Sequence, residues 1–171
     1  LDLPAPLLPT KDTGKIIYIN LYRLSTTASF KMSEMQDSDF IALNQKLLNA
    51  IVCGDYNTYS SLCSTDITCF EPECEGHQVQ GLAFHKFYFD LPAPPSLVSK
   101  NLSDLPPTVV TMSSAHVRRL GDDAAVVSYV RVNQSCLQTG EPKVTKACET
   151  RVWQKVDGGK WKNVHMHRSA M

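Results

Sequence analysis

The sequence predicts an α+β domain in which helices come first along the chain and an antiparallel sheet follows. Between residues 38 and 54, apolar side chains recur at intervals of three and four, which is the spacing of one face of a helix. After Pro107 the spacing changes to two in four successive runs, and the breaks between these runs are rich in Gly and Asp. A chain with this order is expected to curl one face of its sheet around a helix.

The size and composition of the chain fit one globular domain. It has 171 residues, of which 43% are hydrophobic and 20% are charged, which is enough for one ordinary domain and too little for two. The first part contains three prolines and a Ser/Thr cluster, so we expect residues 1–35 to be a tail or linker and residues 36–171 to be the folded domain. Because the chain begins with Leu and shows no secretion signal, we expect it to be a fragment.

Three helices are expected before the sheet. The first begins near Ser38 and stops before Gly54; its apolar stripe consists of Phe40, Leu43, Leu47, Ala50 and Ile51. Asp55 can cap a second, shorter helix, whose apolar face holds Tyr56, Tyr59 and Leu62. A third helix follows Gly81. Since aromatic residues lie all around it, we expect this third helix to be largely covered by the rest of the protein.

Five strands are expected. They are a short strand at residues 67–70, ended by Pro72, and the four later runs at residues 108–120, 124–135, 143–156 and 160–169. The segments between the later runs suit tight turns, because Gly and Asp tolerate positive φ. The proline-rich segment at residues 90–107 is expected to be a long loop.

The turn at residues 157–160 predicts which residues face each other on the last two strands. It would pair Val156 with Trp161, and therefore Arg151 with Met166 and Glu149 with Arg168. Glu149, Arg151 and Arg168 would then lie on one face of the sheet, with Arg131 on the neighbouring strand.

A group of arginines on one face has an electrostatic consequence. Guanidinium groups stay protonated, and two like charges about 4 Å apart repel by roughly 4 kcal/mol at an effective dielectric near 20. In a cavity such a group needs an anion, which Glu149, a bound carboxylate or an acidic side chain of a partner could supply. The alternative, which the residues alone favour, is a solvated sheet face on which the arginines have ordinary partners.

Charge, hydropathy and cysteine spacing exclude several classes of function. Seventeen Lys and Arg balance seventeen Asp and Glu, so no overall field attracts nucleic acid or an anionic membrane. The apolar stretches are too short to span a bilayer. Six cysteines without a Cys-x-x-Cys pair favour free thiols, several of them buried, Cys53 among them, and a cytoplasmic location.

Sequence signals for metal binding and catalysis are weak. His165 and His167 have a spacing that some metal sites use, but no third ligand is evident, so we expect neither a metal nor another cofactor. The sequence contains no nucleophile elbow and no protein-kinase motif, so we expect no catalytic residue. The aromatic residues at 84–89 and the pair Trp153 and Trp161 are either partner-binding anchors or core, and core packing explains most of them.

Five short strings occur in the order in which one known family has them. They are Phe70-Glu-Pro-Glu, Gly81-Leu-Ala-Phe-His-Lys-Phe-Tyr-Phe, Leu120-Gly-Asp-Asp-Ala-Ala, Glu149-Thr-Arg-Val-Trp and Trp161-Lys-Asn-Val-His-Met-His-Arg-Ser. Over residues 36–169 the sequence resembles the association, or hub, domain of calcium/calmodulin-dependent protein kinase II. The resemblance implies a cystatin-like, nuclear-transport-factor-two-like cone, in which a curved antiparallel sheet cradles a long N-terminal helix.

The resemblance also implies a binding site and an assembly. The matching arginines of that family line a pocket, so an anion- or peptide-binding pocket is expected at His85, Arg131, Glu149, Arg151 and Arg168. The expected partners are further copies of the chain, arranged as a dodecamer or tetradecamer of stacked rings, together with tethered kinase domains and small carboxylates or acidic peptides. Two features depart from the family pattern: residues 90–107 form a longer segment, and Cys148 stands where a second acidic residue is common.

The expected function is therefore a non-catalytic oligomerisation hub of a calmodulin-dependent kinase. Two alternatives are a small cone-fold enzyme of the isomerase or dehydratase type and a stand-alone carboxylate-binding protein. An enzyme of that type needs a proton-exchanging group in its cavity, whereas we expect fixed cations to dominate this one.

Overall fold

The computed structural model describes residues 35–91, 108–137 and 139–171. All of the predicted tail except its last residue lies outside these ranges, as does the proline-rich segment beyond Leu91. In the described part the α+β class is confirmed, since three helices accompany one six-stranded sheet.

The helices are α1 (Asp37–Val52), α2 (Tyr56–Leu62) and α3 (Leu82–Asp90). At the start of α1, the Gln36 N–H donates to the Asp39 carboxylate over 2.8 Å, and negative charge here suits the positive end of the helix dipole. After α1, Gly54 adopts a φ of 67°, which favours glycine. The predicted cap of α2 is confirmed, because the Thr58 N–H donates to Asp55 over 2.9 Å. Among the described residues, no helix has the length and apolar character needed to cross a membrane.

The sheet has the strand order β2-β1-β6-β5-β4-β3. Its strands are β1 (Cys63–Phe70), β2 (Val79–Gln80), β3 (Val109–Arg119), β4 (Ala124–Cys136), β5 (Pro142–Val156) and β6 (Lys160–Ala170). The four predicted runs form the antiparallel meander β3 to β6, as expected. The sequence did not predict β2, the early start of β1 at Cys63, or the parallel pairing of β1 with β6. That pairing joins distant segments of the chain, so no local pattern indicates it.

The register of β5 and β6 was predicted correctly for the site residues and wrongly at the turn. Val156 pairs with Lys160, because the turn between the strands is a short 3-10 segment (Asp157–Gly159). A one-residue shift then occurs at Val164, which lies between the paired residues Asn163 and His165. This bulge restores the predicted alignment, so Glu149 lies opposite Arg168 and Arg151 opposite Met166.

The core lies between α1 and the inner face of the sheet. Its largest fully buried side chains include Trp153, Phe40, Leu47, Leu48 and Ile67. The Trp153 indole N–H donates to the side-chain oxygen of Asn44 on α1 over 3.3 Å, so a hydrogen bond joins helix and sheet inside the apolar core. Trp153 is therefore core, as the packing interpretation expected.

The prediction that α3 is largely covered is wrong. Only His85 is buried in this helix, while Phe87 and Tyr88 are 57% and 38% exposed. One side of α3 faces β1 and α2, where Phe89 packs on Tyr59 with ring centroids 5.1 Å apart. Because a nine-residue helix touches the domain along one side only, its other aromatic residues remain on the surface.

The six cysteines are free thiols with different exposures. Cys63, Cys69 and Cys74 are buried, as expected for several of the cysteines. Cys53 is exposed, so the prediction for this residue is wrong. It lies just beyond the last residue of α1, where the helical stripe that suggested burial no longer applies.

Candidate functional site

A cavity of about 250 Å³ opens beside the inner face of the sheet. Its walls come from the sheet, from the three helices, and from the segment that follows β1. All five residues of the expected pocket line it, namely His85, Arg131, Glu149, Arg151 and Arg168. The other lining residues are Glu71, Glu73, Tyr59, Tyr88, Phe89, Ile51 and Met166. Charged and apolar groups thus face the same space.

Arg151 and Glu149 form the buried centre of the cavity wall. Both project inward from β5, and the Arg151 Nη2 lies 3.3 Å from the Glu149 Oε2. Arg151 also donates from Nη1 to Asn163 over 2.9 Å and from Nε to the Tyr129 hydroxyl over 3.0 Å. The guanidinium is 1% exposed, so these hydrogen bonds replace its lost contact with water.

The carboxylate of Glu149 is held between two arginines. Besides Arg151, it accepts a hydrogen bond from Arg131 over 3.3 Å and one from the Tyr129 hydroxyl over 2.5 Å. Burial by itself would raise the pKa of Glu149, but Arg151 and Arg131 outweigh that effect and lower the pKa below its usual value. Glu149 therefore stays ionised and supplies one anion that the arginines need.

Arg168 belongs to a separate ion-pair network at the edge of the cavity. Its Nη2 lies 3.0 Å from the Glu71 carboxylate and 2.6 Å from the Glu73 carboxylate. Glu71 follows β1 directly, and Glu73 lies in the 3-10 turn Pro72–Cys74. Burial opposes ionisation of Glu73, yet a backbone hydrogen bond and Arg168 keep the pKa of Glu73 below its usual value.

Sequence reasoning missed these two glutamates as site residues. The string Phe70-Glu-Pro-Glu contributes to the family resemblance, but by itself it indicates no role for its acidic residues. No local signal indicates their role, because the long-range pairing of β1 with β6 is what brings this segment to Arg168.

His85 reaches the cavity wall from α3 and is hydrogen-bonded on both ring nitrogens. Its Nδ1 lies 2.7 Å from the Tyr59 hydroxyl and its Nε2 lies 3.2 Å from the Cys69 thiol. Burial, assisted by the nearby Arg151, lowers the pKa of His85, although Glu71 acts in the opposite direction. The imidazole is consequently neutral near pH 7.

The charges that line the cavity are balanced. Among the residues that the structure describes, three arginines face three glutamates and His85 is neutral, so the expectation that fixed cations dominate the cavity is wrong. Guanidinium groups do not exchange protons near neutral pH, and protein groups occupy both nitrogens of His85. The cavity therefore offers charged and hydrogen-bonding groups rather than a group that exchanges protons during catalysis.

The remaining polar candidates lie elsewhere. His165 contacts Thr68, with 2.8 Å between the ring Nδ1 and the hydroxyl oxygen. Within residues 35–91, 108–137 and 139–171, no group of three or more His, Cys, Asp or Glu side chains is arranged to hold a metal ion. His165 and His167 therefore have a structural explanation beside Phe70, whose ring lies near both of theirs.

The chain matches a known protein family over most of its length. The family model described as "Calcium/calmodulin dependent protein kinase II association domain" matches residues 36–171. Calcium/calmodulin-dependent protein kinase type II of Caenorhabditis elegans is 39% identical over 157 residues, which is 92% of this chain and 20% of that protein. The chain thus spans about a fifth of the length of this relative.

Two solved structures are similar to this chain, at different levels of sequence identity. The calcium/calmodulin-dependent protein kinase II hub homology domain of Chlamydomonas reinhardtii is 48% identical, with a TM-score of 0.68, and the match covers 78% of this chain and 97% of that one. A protein of Novosphingobium aromaticivorans described as similar to nuclear transport factor two, with a cystatin-like fold, is 16% identical, with a TM-score of 0.62 and coverages of 78% and 80%.

The fold and family expectations are therefore confirmed. The likeness at 16% identity shows the cystatin-like, nuclear-transport-factor-two-like architecture. The family model identifies the association part of the kinase, which is not its catalytic part. This chain belongs to the association domain family of calcium/calmodulin-dependent protein kinase II.

Proposed function

We propose that this chain is an oligomerisation hub that assembles calcium/calmodulin-dependent protein kinase II subunits into a ring-shaped holoenzyme. Family membership supports self-association. The structural observation that supports it best is the outer face of β4, where the outward side chains form a mainly apolar strip and remain partly exposed; they are Val126, Ser128, Val130 and Val132. Val152 of β5, directly opposite Val126, extends this apolar strip. Such a strip is suited to contact with another copy of the domain.

Assembly would act on tethered kinase domains through their local concentration. Short flexible linkers hold attached domains at effective concentrations that reach about the millimolar range. Neighbouring kinase domains would then phosphorylate one another in an intramolecular reaction. The hub would contribute architecture and no chemical step of its own.

Native mass spectrometry of the chain at micromolar concentration tests the assembly. We expect a dodecamer or a tetradecamer, and a monomer would overturn the proposal. Val130→Glu places a charge on the outer face and should reduce assembly, whereas Asn57→Glu, at an exposed position of α2, should leave it unchanged. Far-ultraviolet circular dichroism would show that both variants keep their fold.

The cavity would bind an anion, either a small carboxylate or an acidic side chain of a peptide. Two of its arginines retain access to solvent, Arg131 at 12% and Arg168 at 25% exposure. Guanidinium groups bind carboxylates through paired hydrogen bonds, and the apolar lining residues Phe89 and Met166 could contact the body of the ligand.

Thermal unfolding with 3-phenylpropionate tests this second part. The compound carries one carboxylate and a small apolar body, so it should raise the Tm of the protein. Arg151→Ala should abolish the shift, but Arg151 is fully buried and its loss alone changes stability. Arg168→Gln, at the cavity edge, is the cleaner variant and should reduce the shift without removing it, because Arg131 and Arg151 still line the cavity. If the wild-type Tm does not change, the cavity does not have this function.

A further inference from the structure

One nitrogen of Arg168 is shared by two carboxylates that belong to the chain itself. The Nη2 lies 3.0 Å from Glu71 and 2.6 Å from Glu73, and Arg168 lines the cavity. The two carboxylates differ in burial, because the Glu71 side chain is 6% exposed and that of Glu73 is 50% exposed. Arg168 therefore has one enclosed partner and one partner at the surface.

We infer that Glu73 is an internal competitor for the anionic ligand of the cavity, because it occupies the guanidinium that the ligand would need. This inference rests on the anion-binding function proposed above. In the absence of ligand, Glu73 binds Arg168. A ligand carboxylate that binds Arg168 displaces Glu73 into solvent, so the observed affinity is lower than the arginines alone would give.

The three glutamates of the cavity differ in how easily they can leave. Glu149 is fully buried and is held by two arginines and Tyr129, so its release would leave a buried charge without a partner. Glu71 is almost as enclosed as Glu149. Glu73 is half exposed, so water can solvate its carboxylate once the ion pair breaks.

The position of Glu73 also favours release. It lies in a three-residue 3-10 turn between β1 and β2 rather than in a strand, so its side chain can rotate away without disturbing the sheet. An exposed ion pair of this kind contributes up to about 1 kcal/mol, which corresponds to about a fivefold change in a binding constant. Removal of the Glu73 charge should therefore strengthen ligand binding measurably.

Calorimetric titration with 3-phenylpropionate provides the test, with the full chain in each case. Glu73→Gln should bind about two- to fivefold more tightly than the wild-type protein. The matched control is Glu75→Gln, which removes the same charge two residues further along, at an exposed position. This control should bind with wild-type affinity if the effect of Glu73 depends on its contact with Arg168.

A double-mutant cycle shows whether Glu73 acts through the arginine. In an Arg168→Gln background, the additional change Glu73→Gln should no longer strengthen binding. If Glu73→Gln binds no more tightly than the wild-type protein, or if Glu75→Gln gains as much, the inference is overturned while the cavity remains an anion site. If neither the wild-type protein nor Glu73→Gln binds the compound, the proposed anion-binding function fails, and the inference fails with it.

Discussion

Glu149 and Arg168 lie directly opposite each other on β5 and β6, but each makes its ion pairs with other residues. Glu149 binds Arg131 and Arg151 inside the cavity wall. Arg168 instead binds Glu71 and Glu73 in the segment after β1. Alignment across a sheet thus brings two residues together without making them partners, and the cavity contains one enclosed ion network and one at its edge.

The enclosed network predicts a large effect of Glu149→Gln on stability. Neutralising this carboxylate leaves Arg151 buried without a counter-charge, and breaking a buried ion pair in this way costs about 3–5 kcal/mol. Chemical denaturation at matched protein concentrations measures the loss. Glu141→Gln, an exposed position before β5, is the control and should change stability by no more than about 0.5 kcal/mol. Equal stability of the two variants would contradict the assignment of Glu149.

His85 predicts a loss of stability in mild acid. Burial lowers the pKa of His85 below the 6.5 of an ordinary histidine. Below that pH the unfolded chain binds the proton more readily than the folded protein, so stability is fully present above about pH 6.5 and is lost as the pH falls toward the lowered folded pKa.

Thermal unfolding between pH 7.5 and pH 5 measures this effect. The decrease in Tm should be smaller in His85→Gln than in the wild-type protein. His165 also has a lowered pKa, caused by burial and by the neighbouring His167, so His165→Gln separates the two contributions. If the Tm of His85→Gln falls as much between pH 7.5 and pH 5 as that of the wild-type protein, His85 is not the group responsible.

The hydrogen bond between Asn44 and Trp153 predicts that removal of the Asn44 side chain destabilises the protein. Asn44→Ala leaves the buried indole N–H without its acceptor, which should destabilise the protein by about 1–3 kcal/mol. Asn49→Ala makes the same change on the same helix at an exposed position and should have little effect. Urea denaturation of both variants measures the difference, and similar midpoints would argue against a role for the hydrogen bond.

The turn between β5 and β6 predicts a conformational requirement for glycine. Gly158 has a φ of 77°, and a Cβ added there would meet no atom within 4 Å. The expected cost of Gly158→Ala, about 1–2 kcal/mol, therefore comes from the backbone and not from a clash. Gly158→Asn should cost less, because asparagine tolerates this region better. Thermal unfolding measures the difference. If Gly158→Ala and Gly158→Asn have the same Tm as the wild-type protein, this explanation is contradicted.

Local sequence patterns predicted most of the elements. The three- and four-residue spacing around Phe40 and Leu47 predicted α1, and period-two runs separated by turn residues predicted β3 to β6. These predictions hold because side-chain periodicity and turn chemistry depend on residues close together in the chain. The alignment of Glu149 with Arg168 followed in the same way, although the bulge at Val164 was needed to correct a turn that is one residue shorter than predicted.

The sequence by itself determined the order of elements, the family, and the group of residues that would share one sheet face. Only the tertiary structure decided that β1 pairs in parallel with β6, and that this pairing brings Glu71 and Glu73 to Arg168. It also decided which aromatic residues of α3 remain exposed, Phe87 among them. These outcomes depend on contacts between segments far apart in the chain, and their geometry is set by packing of the whole domain and not by any local spacing.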